Sequence, residues 1–167
     1  GNVEVTPEGP DRPGSPAIDV YQLIGQILRR GIQTPVLLRF DGILRARVRE
    51  LNQAFNAART EFEYKGAYRG VFPIKVNQQR HVVEALLEEG RKHGTGLEVG
   101  SKPELLAAIA LQADGGSLLL CNGYKDRAFI ETALLAQKLG RRVVITMDRM
   151  GELDTILAAA TELDLRP

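Results

Sequence analysis

The stretch GVFPIKVNQQ, Gly70 to Gln79, decides how this chain is read. It begins as a short apolar strand, carries Pro73 in its middle and reaches Lys75 at its end. Side chains alternate along a strand, so Pro73, Lys75 and Asn77 are expected on one face, with Phe72, Ile74 and Val76 on the other. The bulky apolar face suits packing under helices. The Lys75 ammonium is then sent to the opposite side, near the carboxyl end of its strand. In parallel α/β folds that end is where ligands bind. Pro73 also removes a ladder donor, which is unusual inside a sheet, and broken local rules beside an ionisable group mark functional sites.

Working outward, the same pattern recurs. The segments VFPIK, GLEV, SLLLC and RVVIT read as four short strands, each followed by an amphipathic helix. Their ends fall at Lys75, Glu98, Cys121 and Thr146, separated by 23, 23 and 25 residues. Apolar strands in so regular a βα series predict a parallel sheet with right-handed crossovers. An open doubly wound sheet and a barrel both satisfy that much. SKPE predicts a capping box, with Ser101 at the N-cap and Glu104 at N3, and Asp126 is expected to cap the next helix. Upstream, Asp19 opens a helix ended by Gly31, TPVLLRF (34–40) reads as a strand, and Asp41 opens a longer helix. Its expected inner face is Leu44, Val48, Leu51, Phe55 and Phe62. Residues 1–16 are rich in Pro and Gly and read as a flexible arm. The chain thus divides into an arm (1–16), a helix–strand–helix segment (17–64) and the βα series (65–167).

Composition bounds the function. The 167 residues suffice for one domain with a core, and 44% hydrophobic and 26% charged residues are ordinary for a soluble protein. A formal charge of +1 points to no nucleic-acid partner. Arg39, Arg45, Arg47 and Arg49 are interleaved with apolar residues and read as a solvated helix face. The longest apolar run, Leu105 to Leu111, is far short of a membrane span. A single cysteine, Cys121, permits no internal disulfide and reads as a small buried hydrophobe; a cytoplasmic setting follows. No P-loop, dinucleotide fingerprint or metal-ligand cluster is present.

Two chemistries remain open for Lys75. It either snorkels to solvent, which sequence chemistry alone favours, or is held partly desolvated as a free amine able to form an imine with a carbonyl. Glu98 occupies the equivalent place one unit later. On a neighbouring strand, about 4.8 Å away, it would face Lys75 at the same mouth, as an ion-pair partner or as a carboxylate biasing its protonation. Asn77 shares the Lys75 face and joins the two as a candidate cofactor contact.

At these residues a resemblance emerges. VFPIKVNQ, LEVGSKPEL and CNGYKDRAFIETAL, in that order, resemble the biosynthetic arginine decarboxylases, within the alanine-racemase-like, fold type III group of pyridoxal-phosphate enzymes. Phe72 stands where that family usually has tyrosine, and Asp148 where glutamate is expected. The resemblance implies a (β/α)8 barrel, TIM-like, of which this α/β chain holds the first four βα units after its helix and strand N-terminal segment. It implies that Lys75 carries pyridoxal 5'-phosphate, that Glu98 lies near the cofactor, and that L-arginine is decarboxylated to agmatine in polyamine biosynthesis. It further implies a homo-oligomer, dimer or tetramer, and a possible role for Mg2+. A barrel needs about 250 residues, so the chain is expected to be the N-terminal part of a longer enzyme, inactive in isolation. Rivals are a decarboxylase for ornithine, lysine or diaminopimelate, a non-catalytic pyridoxal-phosphate carrier, and a plain α/β interaction domain with Lys75 on its surface.

Overall fold

The computed structural model describes residues 2–9, 14, 16–112 and 115–167. Its centre is a four-stranded parallel sheet in sequential order: β3 (Val71–Pro73), β4 (Gly96–Val99), β5 (Leu118–Cys121) and β6 (Arg142–Ile145). Helices α3 (Arg80–Gly90), α4 (Lys102–Leu111), α5 (Arg127–Lys138) and α6 (Gly151–Glu162) follow the strands in turn. Ahead of them, β1 (Glu4–Val5) pairs antiparallel with β2 (Ile18–Asp19), followed by α1 (Val20–Arg29) and α2 (Asp41–Glu61). The β1–β2 pairing lies partly within the stretch read as an arm, of which residues 1, 10–13 and 15 fall outside the described ones.

Register gives the sheet two unlike faces. Phe72, Leu97, Leu119 and Val143 align across the four strands, as do Val99, Cys121 and Ile145 one layer up. These rows pack with Val83, Leu87, Leu105, Ala108, Phe129 and Ala133 of the helices to form the main core. Burying aliphatic and aromatic side chains of this size contributes about 1.5–3 kcal/mol each. Ile130 and Leu134 of α5 meet Ile156, Ala159 and Ala160 of α6 in a second cluster, and Val48 joins Val82 and Leu86 in a third. Alternation places Pro73, Glu98, Leu120 and Val144, also in register, on the opposite face. The β4–β5 approach needs a glycine: a Cβ on Gly96 would stand 1.8 Å from the Leu118 carbonyl oxygen.

Helix starts follow the expected caps in three cases. The side chains of Asp19, Ser101 and Asp126 accept from the backbone N–H groups of Gln22, Glu104 and Phe129. Asp41 differs. It is the first helical residue of α2, after an uncapped Phe40, where its charge suits the helix dipole. Two further expectations are corrected. Residues 34–40 belong to no strand; the segment opens on a bend with a cis Thr34–Pro35 peptide, and no described strand runs beside it to take up its backbone groups. On α2, Val48 is buried as expected, but Leu51, Phe55 and Phe62 are exposed. Its fully buried residues are Ala46, Val48 and Asn52.

Candidate functional site

The carboxyl ends of the four strands form one mouth, and its geometry departs from the sequence reading at the opening stretch. β3 stops at Pro73, and Ile74–Val76 coil into a single 3-10 turn. The expected alternation therefore ends two residues early. Ile74 is buried, whereas Lys75 and Val76 are exposed. Of the two readings open for Lys75, the solvent-reaching one is what this chain shows, since the residue is exposed. Among the described residues no hydrogen bond or ion pair engages its ammonium. Asn77 is half-buried, and its Oδ1 accepts from the Gln79 N–H at 3.0 Å, a local turn that leads into α3.

Glu98 sits on β4 directly beside Pro73 in register and is buried. Among the described residues its carboxylate has no hydrogen-bond or ion-pair partner. The carboxylate thus lies on the face opposite the main core, one strand from the exposed lysine. A group that condenses with the Lys75 amine and presents a hydrogen-bond donor to Glu98 would engage both. The residues present therefore fit a carbonyl cofactor held covalently by the Lys75 amine and faced by Glu98. A cleft of about 680 Å3 opens nearby between the 3-10 turn and α4, but neither Lys75 nor Glu98 lines it.

The loops of the mouth are tied to one another. Glu104 is more than a cap: its Oε2 accepts from the Gly100 N–H at 2.8 Å and its Oε1 from Gln78 Nε2 at 3.1 Å. It thereby joins the turn after β3 to the end of β4. Lys102 reaches the Asp126 carboxylate at 2.6 Å, and together with the Phe129 N–H holds that carboxyl below its usual range. The Thr146 hydroxyl lies 2.9 Å from the Cys121 carbonyl oxygen and 2.8 Å from Asn122 Oδ1. Cys121 is fully buried as expected, and burial pushes its thiol up to about 12. The Lys125 ammonium opposes that shift and the Glu98 carboxylate adds to it, so both charges stand within electrostatic reach of the sulfur.

Sequence reading misses Lys125 and Glu152. Their side chains are 0% and 4% exposed, and Nζ lies 3.4 Å from Oε2. Glu152 has a signal: it stands four residues before the buried Ile156, on the inward stripe of α6. Lys125 has none, since it follows a strand by four residues in a polar loop. Three of the four arginines do more than face solvent: Arg45 pairs with Glu88, Arg47 with Glu50, and Arg49 bridges Glu8 and the buried Glu89. Among the described residues no three His, Cys, Asp or Glu side chains cluster as metal ligands do, and no helix is long and apolar enough to cross a membrane.

The fold is a parallel βα series with an exposed lysine and a buried carboxylate at its mouth. Residues 48–166 match the pyridoxal binding domain of the pyridoxal-dependent decarboxylases, and the chain belongs to that family. It is 47% identical over all 167 residues to the biosynthetic arginine decarboxylase of Nostoc, covering 24% of that protein. Against the biosynthetic arginine decarboxylase of Thermosynechococcus vestitus it is 48% identical over its whole length, covering 26% of that protein. The crystal structure of the biosynthetic arginine decarboxylase of Campylobacter jejuni superimposes with a TM-score of 0.84 at 35% identity, over 91% of this chain and 25% of that one. The chain spans about a quarter of the length of the curated relatives it matches.

Proposed function

We propose that this chain is the lysine-bearing part of a pyridoxal-phosphate enzyme that decarboxylates L-arginine to agmatine and CO2, a step toward polyamines. The observation that carries it is the pairing of an exposed, unengaged Lys75 with the buried, partnerless Glu98 one strand away, inside a pyridoxal binding domain. The arginine decarboxylases it resembles over its whole length favour arginine over ornithine, lysine or diaminopimelate. Lys75 would hold the cofactor through its amine. Glu98, on the strand beside it, would offer carboxylate oxygens as acceptors to a donor nitrogen of the bound group. Asn77 fixes the turn between Lys75 and α3. The cofactor, when bound, supplies an electron sink for the electrons left at Cα as CO2 departs.

In the same proposal residues 65–167 are the first half of a (β/α)8 barrel, 17–64 a segment that packs against it, and 1–16 an arm. The bare face carrying Pro73, Glu98, Leu120 and Val144 then becomes the barrel interior. The full-length enzyme works in the cytoplasm as a homo-oligomer. Mg2+ stays an expectation of the resemblance, with no ligand set among the described residues to support it.

The test is covalent capture. The full-length protein incubated with pyridoxal phosphate and borohydride is expected to carry the reduced cofactor on Lys75, read by peptide mass spectrometry. K75A should lose both the label and agmatine formation. Label on another lysine, or none, would sink the proposal.

A further inference from the structure

We propose that the buried Lys125–Glu152 pair is a positioning pair for the candidate site, a clamp that sets the loops at the strand ends and, through them, the turn carrying Lys75. The proposal rests on the function proposed above. Glu152 rises from the first turn of α6 and accepts from two loops at once. Its Oε1 takes the Lys125 N–H at 2.9 Å, and its Oε2 takes the Asp148 N–H at 2.8 Å. The Lys125 ammonium closes the arrangement by pairing with Glu152 and donating to the Gly123 carbonyl. One carboxylate thus pins the loop after β5 to the loop after β6.

The contacts continue around the mouth. Gly123 adopts φ +71°, a conformation that favours glycine, and its missing Cβ would lie 3.5 Å from the Gly100 carbonyl oxygen. The Gly100 N–H is held by Glu104, which also receives Gln78, three residues after Lys75. Glu152 and Lys125 thus tie the loops after β5 and β6, Glu104 ties Gly100 to Gln78, and Gly123 brings the first group alongside Gly100 of the second. Lys125 also lies within electrostatic reach of Cys121, as does Glu98. Stability alone does not call for this pair. Removing two charges from water is costly, and apolar residues of similar volume often serve stability equally well. An apolar pair cannot accept two backbone N–H groups from two different loops. Fixing loops that carry a site is the task for which a carboxylate is required here.

The test uses the full-length protein with pyridoxal phosphate, as wild type and as K125M/E152Q, which removes both charges together. The double variant is expected to melt within a few degrees of wild type and still to capture the cofactor on Lys75. Its kcat should fall about tenfold with KM for arginine nearly unchanged, since a misplaced reacting group is felt in the chemical step. Wild-type kcat in the folded double variant overturns the proposal. If that variant does not fold, amide exchange in the wild type decides. By linkage, cofactor binding should slow exchange of the Lys125 and Asp148 amides. Unchanged exchange with cofactor captured on Lys75 overturns the clamp alone, whereas failure of capture at Lys75 sinks it together with the function on which it rests.

Discussion

At the scale of single residues, burial sets reactivity more than residue type does. Lys75 and Lys125 belong to corresponding loops of the same series, yet one is exposed and unengaged and the other is sealed against Glu152. Only the first has an amine available to a carbonyl. Cys121 is a parallel case. Its thiol is fully buried and pushed up to about 12, so the thiolate that alkylating reagents need is scarce at neutral pH. Iodoacetamide at about pH 8 is therefore expected to leave Cys121 unmodified in the folded protein and to modify it once denaturant is added, as intact mass will show. Rapid native labelling would contradict the packing of β5. Lys75 and Glu98 are legible as candidates because each ends an apolar run in a repeating series. The 3-10 turn is not legible: alternation assumes that the strand continues, and Pro73 ends the ladder where the pattern of side chains still runs on.

At the scale of elements, the repeat carries most of the information. All four strands of the sheet and all four following helices appear where the apolar runs put them, and α4 and α5 start at the capping residues expected, because each is specified by local periodicity. TPVLLRF and the outer face of α2 fail for the opposite reason. Their apolar residues suggest burial, but burial depends on a partner element; Leu37, Leu51 and Phe62 stay exposed, and Phe55, though stacked on Tyr68, is exposed as well. Helix α5 is covered on two sides and serves two clusters. Phe129 faces the sheet in one, and Ile130 and Leu134 face α6 in the other. F129A should cost about 3–5 kcal/mol, read as a lower urea midpoint at an unchanged slope. A loss under about 1 kcal/mol would mean that α5 does not seat on the sheet as described.

At the scale of the whole molecule, two buried carboxylates link fold stability to acidity. Burial pushes the Glu152 carboxyl up. The N–H groups of Asp148 and Lys125 and the Lys125 ammonium outweigh that and hold it below the usual 4.5. Glu89 is likewise pushed up by burial and pulled further down by Lys92, Arg49 and His93. Through Arg49, which also pairs with Glu8, it ties α2 and α3 to the N-terminal segment. A carboxyl lowered by folding adds stability above its unfolded value, and that stability is lost as pH falls through the folded one. Urea midpoints should therefore hold steady near neutrality and drop below about pH 4.5, more gently in E152Q than in wild type. A wild-type midpoint unchanged down to about pH 3 would rule out both assignments.

The sheet order has a consequence for how the chain can be made. Each strand is hydrogen-bonded to the one synthesised just before it, and each helix to be seated follows its strand immediately. Within the described sheet, pairing runs only between consecutive strands. Short loop closures of this kind are cheap, and contacts close in sequence form quickly. Growth from the ribosome can thus add one βα step at a time to a surface already dry on its helical side, with the candidate cofactor lysine in place at the first step.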